Sequence, residues 1–79
     1  MRLKICKGIQ ADTIQLAVSQ IELVNNKTIK PKKLKMKGLN YFSLRVGLRH
    51  RVIIKRIENG IVCNAILCTH ENYTKLIQR

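Results

Sequence analysis

The residues of this chain that are best suited to chemistry are two arginines, Arg45 and Arg51, on either side of the turn Gly47-Leu48-Arg49. Side chains alternate between the faces of a strand, so Tyr41, Ser43 and Arg45 should share one face. Arg51, on the next strand, should then stand close to Arg45. Two like charges side by side are unfavourable unless an anion joins them. The pair therefore predicts a site for a backbone phosphate, with Tyr41 available to stack on a base.

A second group of polar residues, Thr69 to Tyr73, follows the last predicted strand. Strand ends next to turns often present side chains to ligands, so His70 is the better of the two histidines for acid–base work. A surface or capping histidine is an equal alternative. Glu71 could orient His70, but it is better explained as a solvated acid at a helix start. His50 stands between two arginines and is expected to be structural or to contact a phosphate.

The positive charge is concentrated in the middle of the chain. Lys and Arg number 16 against 4 Asp and Glu, a formal net charge of +12, and no acidic residue lies between Glu22 and Glu58. A purely structural surface normally mixes the two signs, so a one-sided field favours a polyanionic partner, although a solvated, solubilising face is the alternative. The cations of this stretch are Lys27, Lys30, Lys32, Lys33, Lys35, Lys37, Arg45, Arg49, Arg51, Lys55 and Arg56.

Length and composition exclude several classes of protein. The 79 residues suffice for one small domain, 1–79, and 46% apolar residues are too many for a disordered basic tail. No apolar run approaches the roughly 20 residues of a membrane helix, and no secretory signal is expected. Cys6, Cys63 and Cys68 lack metal-ligand spacing, so we expect buried thiols in a reducing cytoplasm and neither a metal nor another cofactor.

Hydrophobic periodicity predicts an α+β fold. Residues 1–6 alternate as a short strand, Asp12 is a plausible helix N-cap, and apolar residues at helical spacing from Ile14 to Val24 predict about four turns of helix. Lysine-rich residues 27–38 could be a loop or, after Pro31, partly a basic helix. Three strands then form an antiparallel meander around Asn59-Gly60, and a short helix or tail ends the chain. The predicted strands are 41–46, 50–58 and 61–69, and the last segment is 70–79.

These elements predict an antiparallel sheet, built from the N-terminal strand and the three-stranded meander, with the N-terminal helix covering one face. About half of the chain, from Leu34 to Tyr73, also resembles the RelE/ParE superfamily of toxins from toxin–antitoxin pairs. The segments that support the resemblance are Lys33-Leu34-Lys35-Met36-Lys37-Gly38-Leu39, Tyr41-Phe42-Ser43-Leu44-Arg45-Val46-Gly47, Arg49-His50-Arg51-Val52-Ile53 and Thr69-His70-Glu71-Asn72-Tyr73.

The resemblance implies a compact domain with a curved antiparallel sheet and, for RelE-like members, metal-independent cleavage of mRNA in the ribosomal decoding site. Arg51 matches the family arginine that holds the scissile phosphate, and Arg45 matches a basic residue on the preceding strand. His70 and Tyr73 match C-terminal positions that act in proton transfer or base stacking. Together these four residues form the expected catalytic set. Further residues expected to contact RNA are Lys33, Lys35, Lys37, Tyr41, Ser43, Arg49, His50 and Lys55.

The resemblance also implies partners. We expect a cytoplasmic toxin that acts on the ribosome and mRNA, without a membrane, and that an acidic antitoxin neutralises, in a complex that could be a hetero-oligomer. The ParE branch of the superfamily inhibits DNA gyrase and cleaves nothing, so gyrase inhibition is the alternative. A small basic protein that only binds RNA or the ribosome is a third possibility, for which the charge alone would suffice.

Overall fold

A five-stranded sheet lies between two helices of unequal length. The computed structural model describes residues 1–36 and 39–77. Within these residues, neither helix is long and apolar enough to cross a membrane. In chain order the elements are β1 (Arg2–Ile5), α1 (Ala11–Asn25), β2 (Lys32–Met36), β3 (Leu39–Val46), β4 (His50–Glu58), β5 (Ile61–Thr69) and α2 (His70–Ile77). The α+β class, the first strand, the helix and the three-stranded meander are confirmed.

The strands are ordered β1-β5-β4-β3-β2 across the sheet. Strands β2 to β5 are antiparallel to their neighbours, but β1 pairs in parallel with β5, for example Leu3 with Ala65. The prediction of a purely antiparallel sheet was therefore wrong. Strand β1 supplies backbone partners to the outer edge of β5, which would otherwise be open, and nothing in the local sequence of either strand encodes that long-range pairing.

The main core lies between α1 and one face of the sheet, here called the helix face. Each central strand contributes alternate apolar side chains to it, and α1 adds one stripe at helical spacing. The predicted core positions Leu44 and Val46 are buried, and Phe42 packs at the margin of the cluster. The fully enclosed members are Ala17, Ile21, Val46, Val52, Ile54, Val62, Ala65 and Leu67.

The N-terminus of α1 differs from the expectation. Gln10 occupies the N-cap, and no side chain makes a capping hydrogen bond. Asp12 lies one residue inside the helix, in its first turn. There its charge faces the positive end of the helix dipole, so the acid stabilises the helix end by charge and not by capping. The prediction of Asp12 as N-cap was wrong by two positions.

The basic connector is also different from the expectation, because it contains strand β2 where a loop or helix was predicted. Pro31 precedes the strand, and β2 pairs with β3 from Lys32 opposite Ser43 to Met36 opposite Leu39. Backbone pairing with β3 outweighs the helical preference of lysine, and Pro31 disfavours a helix through the residue before it. Lysines are typical of edge strands, where their charge prevents pairing with another chain.

The hairpin between β4 and β5 is confirmed. Asn59 and Gly60 both have positive φ, 53° and 79°, as a tight turn at Asn-Gly requires. Each strand carries one extra residue near this turn, Lys55 in β4 and Cys63 in β5. The extra residue in β4 returns Ile57 to the main core, although Ile57 lies an odd number of positions from Ile54.

The second face of the sheet, here called the groove face, has its own small apolar cluster. It consists of Ile53, Ile66 and Cys68, with Tyr41, Cys6 and Tyr73 packed around them. Tyr73 lies in α2, so this C-terminal helix covers part of the face that the sequence left open. Helical cover was expected on one face and is present on both.

Candidate functional site

The two arginines that the sequence singled out stand side by side on the groove face. Arg45 in β3 and Arg51 in β4 are directly opposite each other in the antiparallel register. Together with Lys32, Ser43 and Tyr73 they line a groove of about 480 Å³. Three strands and one helix thus bring three cations, a hydroxyl and an aromatic ring to one place. We call it the cationic groove.

The guanidinium of Arg51 is the most constrained group of the cationic groove. Its Nη1 is buried, and no group among the described residues accepts a hydrogen bond from it. Its Cζ lies 5.7 Å from the centroid of the Tyr73 ring, within the range of a cation–π contact. Arg45, by contrast, is exposed. Because Arg51 is held in place and one of its donors is unused, an anion that enters the groove would find a prepared partner.

All charged side chains among the described residues that line the cationic groove are positive. None of its lining residues is acidic. The one ion pair within residues 1–36 and 39–77 joins Arg56 to Glu58, near the β4–β5 turn. The three cations of the groove therefore repel one another, and a bound polyanion would relieve that repulsion.

Two hydrogen bonds fix the position of α2 and so of Tyr73. The Thr69 hydroxyl accepts a hydrogen bond from the Asn72 amide at 3.2 Å, as an N-cap does. The His70 amide donates to the Arg49 carbonyl at 2.7 Å, which ties the start of α2 to the β3–β4 turn. As a result the first turn of α2 lies beside the start of β4, where Arg51 is located.

His70 lies beside the cationic groove and not in it. It lines a second pocket of about 470 Å³ with Leu48, Arg49, His50, Thr69 and Glu71. Its ring centroid is 6.3 Å from that of Tyr73, with an angle of 26° between the planes. The exposed His70 ring of the second pocket therefore neighbours the Tyr73 ring of the cationic groove.

Of the eight residues predicted to contact RNA, Ser43 is the only one among the described residues that lines the cationic groove. Arg49 and His50 line the second pocket. Tyr41 is half-buried against the small apolar cluster of the groove face, so its ring is partly used in packing. The exposed Lys55 is the extra residue of the β4 irregularity.

The strand register shows which face of the sheet the first lysines of β2 lie on. Lys33 pairs with Phe42, a residue of the helix face, whereas Lys32 pairs with Ser43 on the groove face. The backbone of Lys35 pairs with that of Asn40, and Lys37 lies outside the described residues. Sequence reasoning named Lys33 and overlooked Lys32. The alternation of Leu34 and Met36 puts Lys32 on their side of a strand, but two apolar residues are a weak signal for the strand phase.

Two of the three cysteines, Cys6 and Cys68, belong to the small apolar cluster of the groove face. Cys68 is directly opposite Arg51 in the register, and its thiol donates to the Arg51 carbonyl at 3.6 Å. Burial, followed by the neighbouring Cys6, raises the pKa of Cys68 to about 11, and Arg51 opposes that rise. The Cys68 thiol is therefore a protonated packing group at neutral pH. No cluster of three or more His, Cys, Asp or Glu suited to a metal occurs in the described part of the chain.

Comparison with known proteins gives one match. A family model, described as a ParE-like toxin domain, matches residues 11–75 and so spans α1 through most of α2. No curated protein and no solved structure matches this chain. The matched range includes every described residue that lines the cationic groove.

Proposed function

This chain belongs to the ParE-like toxin domain family, the toxins of toxin–antitoxin pairs, and we propose that it cuts messenger RNA bound to the ribosome. Membership of the family gives it a cognate antitoxin as a partner. The cleavage, the ribosome and the mRNA are our proposal.

The observation on which this proposal depends is the buried, unpartnered Nη1 of Arg51 beside a second arginine. A buried charged donor left unsatisfied costs roughly 1–3 kcal/mol or more, and a bound anion that completed it would recover part of that cost. Arg45 approaches from the next strand, and the two can hold the oxygens of one phosphate. Tyr73 stands over Arg51 and offers a face to an unpaired base.

The reaction that fits this site is attack of an RNA 2′-hydroxyl on the adjacent phosphate. A base removes the 2′-hydroxyl proton, the 2′-oxygen bonds to phosphorus, and the bond from phosphorus to the 5′-oxygen breaks. The leaving 5′-oxygen takes up a proton. The products are a 2′,3′-cyclic phosphate and a 5′-hydroxyl, and the guanidinium groups of Arg45 and Arg51 stabilise the charge that develops on the phosphoryl oxygens.

We assign the proton transfers to His70 and Tyr73, whose rings adjoin each other at the rim of the cationic groove. His70 can accept the 2′-hydroxyl proton, and Tyr73 can donate to the leaving oxygen or stack on a base. The position of His70 in the second pocket is compatible with this role only if the ribose extends from the groove toward the β3–β4 turn. That requirement makes His70 the most informative residue for a test.

The antitoxin would inhibit the toxin by covering the cationic groove. An acidic segment is suited to this role because the groove holds three cations and no carboxylate among the described residues. Toxin and antitoxin would then form a hetero-oligomer in the cytoplasm, and loss of the antitoxin would expose the groove.

Induced expression in bacteria tests the proposal, with growth followed and mRNA ends mapped by primer extension. We expect arrest with new mRNA ends for the wild type, and loss of both in Arg51→Ala and His70→Ala. Arg56→Ala is the matched control, since Arg56 is exposed, pairs with Glu58 and does not line the groove. Arrest with intact mRNA would refute cleavage.

Inhibition of DNA gyrase is a second candidate function, and the match to the ParE-like model is the observation that favours it. It predicts that purified toxin blocks DNA supercoiling by gyrase and that His70→Ala leaves the toxicity unchanged. A supercoiling assay on the same preparations therefore separates the two functions.

A further inference from the structure

Lys32 belongs to the basic stretch of the sequence but was not among the residues predicted to form the site. It is the first residue of the edge strand β2 and pairs with Ser43 of β3. Its side chain is exposed and lines the cationic groove with Arg45 and Arg51. The groove therefore extends over three strands, one more than the arginine pair occupies.

Ser43 makes this extension possible. It is only 7% exposed and has a short side chain, so it forms part of the groove floor between β2 and β4. A longer side chain at this position would stand between Lys32 and the arginines. With serine there, the three cations face one continuous space.

The spacing of the cations indicates how many phosphates they meet. Arg45 and Arg51 are directly opposed, so their head groups can converge on one anion. Lys32 lies one strand farther out, and its register partner Ser43 is two residues from Arg45. Strand spacing and rise together separate the backbones of Lys32 and Arg45 by roughly 8 Å. The ammonium of Lys32 is also free at the end of a flexible stem, unlike the fixed guanidinium of Arg51.

We propose that Lys32 binds the backbone phosphate next to the one held by Arg45 and Arg51, so that the groove takes two successive phosphates of a single-stranded RNA. This inference rests on the proposed function, because it takes RNA as the substrate. Lys32 is a binding residue in this account and takes no part in the proton transfers.

The salt dependence of RNA binding is the readout specific to this role. Each phosphate contact on a single strand contributes about 0.7 to the slope of log K against log salt concentration. Removal of Lys32 should lower the slope by about that amount and weaken binding by about tenfold at low salt, whatever the RNA sequence. A residue that served only the fold of β2 would not change the slope.

The experiment measures fluorescence anisotropy of a labelled single-stranded RNA oligonucleotide with the full chain at four or more salt concentrations. We expect the lower slope and affinity for Lys32→Ala, wild-type behaviour for Lys32→Arg, and no change of slope for Lys30→Ala. Lys30 is an exposed lysine two residues away that does not line the groove, so Lys30→Ala removes the same charge without changing the groove. Equal urea midpoints for all variants exclude a folding defect.

Two other outcomes would have different meanings. If the wild type binds the RNA and Lys32→Ala has the same slope as Lys30→Ala, the Lys32 inference is overturned while the proposed function stands. If the wild type binds no RNA and cuts none on ribosomes, the proposed function fails and the inference fails with it.

Discussion

Replacement of Arg51 by methionine should make the free protein more stable while it removes the function. The variant keeps an unbranched side chain of similar length but deletes the buried Nη1 that has no partner among the described residues. Removal of one unsatisfied charged donor is worth roughly 1–3 kcal/mol. The lost cation–π contact with Tyr73, at 5.7 Å, offsets about 0.5–1 kcal/mol of that gain.

The net expectation is a gain of about 1 kcal/mol in the free energy of unfolding. For a domain of this size that corresponds to a rise in Tm of about 4–8 °C. Urea unfolding followed by circular dichroism measures the change as a shift of the midpoint at constant slope. Arg45→Met is the matched control, because Arg45 is exposed and its replacement should change the stability by less than about 0.5 kcal/mol.

Added inorganic phosphate should reverse the order of stability. Phosphate that binds the native groove stabilises the wild type by RT ln(1 + [L]/Kd), about 2.7 kcal/mol at one hundred times Kd, and should leave Arg51→Met nearly unchanged. The reasoning is refuted if Arg51→Met is less stable than the wild type by about 1 kcal/mol or more in buffer without phosphate. In that case the Arg51 guanidinium would be a net stabilising group of the free fold and not one reserved for an anion.

Three further predictions concern the fold. Leu67→Ala removes a fully buried side chain of the main core and should cost about 2–5 kcal/mol, measured by urea unfolding. Asn25→Ala removes the acceptor of the Val62 amide, at 2.8 Å, and should cost about 1–2 kcal/mol, whereas Asn26→Ala should have little effect on the same assay. Because burial raises the pKa of Cys68 to about 11, the native state holds this proton more tightly than the unfolded state. Unfolding free energy measured against pH should therefore fall between about pH 9 and pH 11 in the wild type, and fall less in Cys68→Ala.

The elements that could be predicted are those whose signals are local. Asn59-Gly60 defines its own turn because both residues tolerate positive φ, and the strands on either side alternate clearly. The pairing of Arg45 with Arg51 followed from a short turn and from the two-residue period of strands. These local rules are enough to place the two arginines opposite each other from the sequence alone.

The features that the sequence did not predict depend on residues distant in the chain or on a weak alternation of polar and apolar residues. The parallel pairing of β1 with β5 joins residues some sixty positions apart, and no local pattern specifies it. In β2 the lysines alternate with few apolar residues, so the strand phase that separates Lys32 from Lys33 was hard to recognise. The location of His70 in a second pocket depends on the hydrogen bond that its amide donates to the Arg49 carbonyl, which only the packed structure supplies.

Cleavage of an end-labelled mRNA by the purified toxin on programmed ribosomes tests the central claim most directly. The account predicts fragments that end in a 2′,3′-cyclic phosphate and a 5′-hydroxyl. It also predicts that Arg51→Met lowers the cleavage rate by about 100-fold or more, because the variant removes stabilisation of the developing phosphoryl charge. Intact mRNA with the wild type, or equal rates for wild type and Arg51→Met, would contradict it.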